Sequence, residues 1–226
     1  MPVVSAAVCP HPPLLVPEVA SGAAPELDDL RAACLAAIEH LSGADRLLVV
    51  GSGPGQQYDG SAGGSFGAYG APGVRVGTGD PVLPLSLAMG AWLIEQTKVA
   101  ELPRSYQSVA ADTPPMRCLE LGRGLAAGND RIGLLVMGDG SARRSEHSPV
   151  HLHPRAEIFD TTVATALGAA DAAVLAALDP DLADELQAAG RAPWQVLAGV
   201  LESGLTGELT YHAAPYGVGY FVASFT

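Results

Sequence analysis

Cysteines, basic residues and long hydrophobic runs are all scarce in this 226-residue sequence, and each scarcity argues against a class of protein. The three cysteines are an odd number without CxxC spacing, which argues against a disulfide framework and a thiolate zinc site. No apolar run approaches the ~20 residues of a membrane span. The 12 basic residues are outnumbered by 24 acidic ones, and a net charge of −12 disfavours nucleic-acid binding.

The opening residues lack the basic region of a secretion signal. We therefore expect a cytoplasmic protein with neither a membrane nor a nucleic acid as partner. Hydrophobic residues make up 48% of the chain, enough for one large domain with a substantial core. There is no internal repeat and no clear linker, so residues 1–226 are interpreted as a single domain.

The first fifty residues predict a strand, a helix and a second strand. Apolar runs of strand length lie at 4–8 and 46–50, and residues 25–42 between them carry an apolar stripe at helical spacing. A right-handed crossover places the ends of both strands at one edge of the sheet. Open α/β sheets bind ligands at that edge.

The rest of the chain continues this pattern and predicts an α/β fold. Strands are expected at 105–111, 132–137, 208–211 and 217–225, with helices at 84–97, from 115 to Gly128, and across most of 154–203. The Gly-rich segment 51–73 has no Gly-Lys-Ser/Thr motif, and Pro54 interrupts the helix that a phosphate loop requires. We expect that segment to be a mobile flap or an irregular surface loop.

Two polar segments follow predicted strands. In Cys9-Pro10-His11-Pro12-Pro13, three prolines fix the backbone around one histidine. His11 is therefore either a rigidly presented functional group or a buried turn residue that bonds to backbone. After the strand at 132–137, one loop holds the densest group of polar side chains in the chain, namely Asp139, Ser141, Arg143, Arg144 and His147.

These segments resemble motifs of the LigB-like superfamily, which includes the catalytic subunits of class III extradiol ring-cleavage dioxygenases and the Memo-like proteins. The matching stretches span nearly the whole chain in family order. They are Pro10–Leu14, Val16–Glu18, Val49–Gly55, Met137–Ser141, Phe159-Asp160, Leu178–Pro180 and Tyr211–Tyr220. The first and the last of these are the most specific.

The resemblance implies a mixed sheet flanked by helices, with a non-haem Fe(II) site at the strand ends. Two histidines and a carboxylate hold the iron in active members, and a further histidine is the acid/base. His11 matches the first ligand. The other groups do not carry over. The family's histidines fall at about Gly53, near Asp80-Pro81 and at Ala142, none of which is a histidine, and the carboxylate falls at about Ala188 or Ala189.

Three functions are compatible with this sequence. The first is a LigB-like protein that has lost most of its iron site and binds a small anionic molecule instead. Its pocket would be lined by His11, Gly53, Asp139, Ser141, Arg143 and Arg144, with the arginines as forks for a carboxylate or phosphate. No cofactor is then expected.

The second function is a metal-dependent dioxygenase or related oxidoreductase, in which His11 shares Fe(II) with displaced ligands. The candidates are His147, His151 and His153, although His153 also fits an ordinary position at the start of a helix, before Pro154. The third is a non-catalytic interaction subunit. The family resemblance implies a homodimer or a partner subunit, and an exposed helix such as 84–97 would provide the surface.

Overall fold

The computed structural model describes residues 3–127 and 129–226, and it is an α/β fold with a mixed central sheet flanked by helices. Met1, Pro2 and Gly128, the expected end of one helix, lie outside these residues. The strands are β1 (Val3–Cys9), β2 (Arg46–Ser52), β3 (Gln57–Tyr58), β4 (Gly64–Phe66), β5 (Ala71–Val76), β6 (Arg104–Val109), β7 (Ile132–Met137), β8 (Gly207–Ala213) and β9 (Tyr220–Phe225). The α-helices are α1 (Pro17–Ala20), α2 (Asp28–Glu39), α3 (Leu85–Glu95), α4 (Pro115–Ala126), α5 (Ala156–Gly168), α6 (Ala172–Ala176), α7 (Pro180–Glu185) and α8 (Arg191–Leu201).

Seven strands form the central sheet in the order β3-β6-β2-β7-β1-β9-β8. The inner strands β6, β2, β7 and β1 are parallel, whereas β3, β9 and β8 pair antiparallel with their neighbours. The predicted strand–helix–strand unit is confirmed, with β7 inserted between β1 and β2. The carboxyl ends of the four parallel strands therefore meet at one edge of the sheet.

The sheet separates two hydrophobic cores, and β7 contributes to both. Its six residues are all buried and alternate in direction: Leu134 and Val136 belong to the core that α5 and α8 cover, and Leu135 and Met137 to the core that α2 and α3 cover. A strand that is covered on both faces has no solvent-facing side. This is why residues 132–137 read as a continuous apolar run.

Part of the Gly-rich segment is more regular than predicted: residues 53–56 and 59–62 form no helix or strand, but the prediction of an irregular loop was wrong for the residues from 64 onwards. β4 and β5 pair antiparallel as a separate two-stranded sheet, and Phe66 is fully buried beneath it. A Cβ at Gly64 would lie 2.6 Å from the Cβ of Ala88 on α3. The glycine therefore allows this hairpin to pack directly against the helix.

The expectation that the helix at 84–97 is exposed was also wrong. Residues 86–94 of α3 are all buried, with β2 and β7 on one side and the β4–β5 hairpin on the other. An apolar surface all round a helix is typical of burial. This helix cannot provide an interaction surface. None of the helices within the described residues has the length and apolar character to cross a membrane.

Candidate functional site

The ends of β1 and β7 bring His11 and Asp139 together. The two strands pair in register up to Cys9 and Met137, so the residues that follow them are neighbours. The His11 backbone N–H donates to Asp139 Oδ1 at 2.7 Å, and His11 Nδ1 lies 3.5 Å from the same oxygen. The His11 side chain is 9% exposed, and its Nδ1 has no hydrogen-bond partner among the described residues. The ring is thus held beside a carboxylate.

Burial dominates the electrostatics around this pair. It raises the pKa of Asp139, and the charge and amide of His11 oppose that rise. The neighbouring Tyr220 is 3% exposed, and burial together with the charge of Asp139 raises the pKa of its phenol. An imidazole and a carboxylate therefore meet at the ends of β1 and β7, and the phenol of Tyr220, at the start of β9, is near enough to be affected by the charge of Asp139.

The side chains at this edge do not fit the iron centre that the family resemblance implies. At Gly53, where a ligand histidine would align, a Cβ would meet Ser108 Cβ at 2.7 Å and Pro84 Cγ at 2.9 Å. Across residues 3–127 and 129–226, no group of three or more His, Cys, Asp and Glu side chains is arranged to hold a metal ion. His11 with Asp139 is two such groups, fewer than a facial triad requires.

The three histidines proposed as displaced ligands lie elsewhere. His147 and His151 are exposed, and His153 is partly buried at the start of α5. His153 Nε2 lies 3.0 Å from Glu185 Oε1, and the Arg155 backbone N–H donates to His153 Nδ1 at 3.2 Å. Both nitrogens of that ring are already used. This is the helix-start position that the sequence offered as the alternative.

Ser141 and Arg144 hold the loop after β7 by contacting one buried acid. Asp160 of α5 is fully buried, accepts from the Ser141 backbone N–H at 2.8 Å and from Arg144 Nη1 at 2.9 Å. Burial raises the pKa of Asp160, and both of these donors oppose that rise. Because its fork already contacts a carboxylate, Arg144 is not available to a soluble anion there.

Arg143 is bound to main-chain oxygens of neighbouring segments. Its Nε donates to His151 O and its Nη1 to Glu185 O, each at 2.8 Å. These bonds tie the loop to the end of α7. The two arginines that the sequence offered as anion ligands therefore serve the structure of the loop.

A cavity of about 430 Å³ opens at the same edge of the sheet, beyond the carboxyl ends of β2 and β6. The walls are α7, the connection from α7 to α8, and the first residues of α8. The lining residues are Ser52, Ala111, Pro180, Ala183, Asp184, Gln187, Ala188, Ala189, Arg191 and Ala192. The resemblance aligned the carboxylate ligand with Ala188 or Ala189, and both lie in this wall.

Arg191 is the residue of this cavity that sequence reasoning missed. It is 3% exposed, and its guanidinium donates to Thr113 O and Gln195 Oε1 at 2.8 Å each and to Ala111 O. All three acceptors are neutral, and no salt bridge among the described residues involves Arg191. Two of its five N–H donors remain. The only signal in the sequence is a charged residue in an apolar helix.

The cavity wall also contains a strained backbone. Gln187 has a φ of 52° and follows the end of α7, where its N–H donates to Asp184 O and the Ala188 N–H to Ala183 O. This is a Schellman ending, in which glycine is the preferred residue. A side chain in that conformation costs about 1–2 kcal/mol. Strain of this kind concentrates at functional sites.

Comparisons with known proteins bear on the fold. No family model matches this sequence, and no curated protein does. A crystal structure of an uncharacterized protein, JW3007, from Escherichia coli K12 is similar, with a TM-score of 0.62 and 14% identity over 98% of this chain and 99% of that chain. At this identity the likeness shows the fold alone. This chain therefore shares an α/β fold with that protein over nearly its whole length.

Proposed function

We propose that this chain is a LigB-like protein that binds a small anion in the Arg191 cavity and does not cleave catechol rings. The observation that carries the proposal is Arg191, a buried cation on a cavity wall whose protein partners are all uncharged. A buried charge without a counter-charge costs several kcal/mol. An anion from solvent removes that cost, and the planar fork of arginine suits a carboxylate or phosphate.

The surroundings of Arg191 support the same function. A volume of about 430 Å³ is within the usual range for small-molecule sites. α8 begins at Arg191, so the positive end of its dipole adds to the guanidinium charge. Ser52 and Gln187 offer a hydroxyl and an amide to the ligand, and most of the remaining lining is alanine.

The residues at the positions of the iron ligands weigh against ring cleavage as the function. Iron in the family site needs two histidines and a carboxylate, and here the equivalent positions are His11, Gly53 and Ala188 or Ala189. The packing of Ser108 and Pro84 against Gly53 leaves no room for a ligand side chain there. The LigB-like assignment is supported by the motifs that span the chain and by the mixed α/β sheet.

A cytoplasmic location belongs to the same proposal. Cys9, Cys34 and Cys118 all lie in the described ranges, and all three are buried and unpaired. Burial raises the pKa of the Cys34 and Cys118 thiols, so both stay protonated. Free thiols suit a reducing compartment.

Calorimetric titration with short carboxylates and with inorganic phosphate tests the anion site. We expect binding together with a rise in melting temperature that grows with anion concentration. Arg191→Met should abolish binding, and Arg191→Lys should weaken it while keeping the charge. Arg143→Met is the matched control and should bind as the wild type does. Unchanged binding by a folded Arg191→Met variant, or no binding across the whole panel, would overturn the proposal.

Iron analysis and oxygen uptake test the second part of the proposal, that this chain does not cleave catechol rings. Protein purified with added Fe(II) should carry far less than one iron per chain and should consume no O₂ with catechols. Stoichiometric iron that is lost in the His11→Ala variant, together with catechol-dependent O₂ uptake, would establish the dioxygenase instead.

A further inference from the structure

We infer that the Arg191 cavity selects a monocarboxylate with an uncharged body, and that Asp184 is the residue that rejects dianions. This inference rests on the proposed function and names its ligand class. Asp184 lies in the last turn of α7 and lines the same cavity as Arg191. It is solvent-exposed, and no hydrogen bond or salt bridge among the described residues uses its carboxylate. Its negative charge therefore remains available to act on a ligand.

The two charged residues of the cavity differ in burial. Among the lining residues that the structure describes, Arg191 is the one base and Asp184 the one acid; Arg191 is buried and Asp184 is exposed. A ligand that reaches Arg191 with one carboxylate extends its other end towards the exposed wall. A second negative charge there is repelled by Asp184 and by the net charge of −12 on the chain.

The uncharged residues of the cavity wall favour a ligand whose remaining atoms are carbon over one that carries further oxygen atoms. Five alanines and Pro180 supply most of the lining, and among the described residues Ser52 and Gln187 are its only neutral polar side chains. Phosphate presents several oxygens that all need donors, whereas a carboxylate needs only the guanidinium fork. An aliphatic chain on that carboxylate removes apolar surface from water by contact with the alanines. A short aliphatic monocarboxylate therefore matches the site better than phosphate does.

Butyrate and succinate are matched probes for this inference, because they share a four-carbon chain and differ in the second carboxylate. At low ionic strength, titration of the wild type should give about tenfold tighter binding for butyrate. Asp184→Asn should reduce that ratio by about three- to tenfold, mainly by tightening succinate. Raising the salt from about 0.01 M to about 1 M should narrow the ratio in the wild type, because the repulsion is screened.

Asp181→Asn is the control, because it removes the same charge from α7 at an exposed position outside the cavity lining. It should leave the ratio unchanged. Equal binding of the two probes by the wild type, or a ratio that Asp184→Asn does not alter, would overturn the selectivity while leaving the anion site in place. Absence of binding by both probes would instead overturn the proposed function on which it rests.

Discussion

Two residues of the cavity wall lie in environments that their residue types usually avoid. Arg191 is a buried cation with no carboxylate partner in the part of the chain that the structure describes, and Gln187 holds a backbone conformation that favours glycine. Both lie in the wall of one cavity. Each costs stability where it is.

Gln187→Gly should stabilise the protein and weaken the site. Glycine removes the strain at a φ of 52°, so the free energy of unfolding should rise by about 1 kcal/mol. Loss of the amide should weaken butyrate binding severalfold. Denaturant unfolding and calorimetry measure the two effects. Gln187→Ala is the control, because it keeps the strain and should lose affinity without gaining stability. Full affinity in both variants would exclude a role for this amide.

Arg144→Met should make stability strongly dependent on pH. The variant leaves Asp160 buried with only the Ser141 amide as a donor, which costs about 3–5 kcal/mol at neutral pH. Without Arg144 the folded-state pKa of Asp160 rises further above its unfolded value, so the carboxyl protonates more readily in the folded protein. The difference in unfolding free energy between the wild type and Arg144→Met should therefore shrink as the pH falls through that folded-state pKa.

Denaturant titrations from pH 4 to pH 8 measure this effect. Arg143→Met is the comparison. The Arg143 guanidinium donates to main-chain oxygens, so its loss should not make the unfolding free energy more dependent on pH. If the loss of unfolding free energy in Arg144→Met stayed constant across that pH range, the Arg144–Asp160 pair would contribute packing and not charge neutralisation.

The sequence predicted that His11 and Asp139 lie at the edge of the sheet, but it did not predict Arg191. His11 and Asp139 could be placed together because each follows a parallel strand, and such strands end at a common edge. Arg191 could not be found this way. Its burial depends on α8 packing against the turn at Ala111 and Thr113, nearly eighty positions earlier in the chain. Arg143 and Arg144 were predicted as anion ligands because of their guanidinium forks. The sequence did not show that Arg144 contacts Asp160, 16 positions later, or that Arg143 contacts Glu185 O, 42 positions later.

At the scale of elements, local patterns predicted the long segments well and the short ones poorly. The apolar run 132–137 is β7 with those bounds, and the helix at 84–97 is α3 at Leu85–Glu95. The hairpin of β4 and β5 was missed because its strands have three and six residues and pack on a helix that follows them. The burial of α3, by contrast, was recognisable from the sequence, because the helix is apolar all round.

Ala170→Gly tests whether the end of α5 obeys the same rule as Gln187. Ala170 has a φ of 49° directly after the helix, and the bonds from its N–H to Leu167 O and from Asp171 N to Ala166 O form a Schellman ending. Glycine at this position should raise the free energy of unfolding by about 1 kcal/mol. Ala169→Gly, one residue earlier at a φ of −94°, should not stabilise. Denaturant unfolding compares the two, and a gain at Ala169 alone would contradict the argument.

At the scale of the whole molecule, the acidic chain carries a buried cation at one edge of its sheet. A net charge of −12 repels anions at long range, so a ligand must gain its affinity at Arg191 itself. Association into a homodimer or with a partner subunit stays a prediction, and α3 is not its surface. Light scattering at several protein concentrations measures it directly.

A crystal structure of the chain grown with saturating butyrate would show whether a small anion binds to Arg191. We expect carboxylate density within hydrogen-bond distance of the Arg191 guanidinium, with the carbon chain against the alanines of the cavity wall. A map in which Arg191 contacts only protein atoms, and butyrate is absent from the cavity, would contradict this expectation.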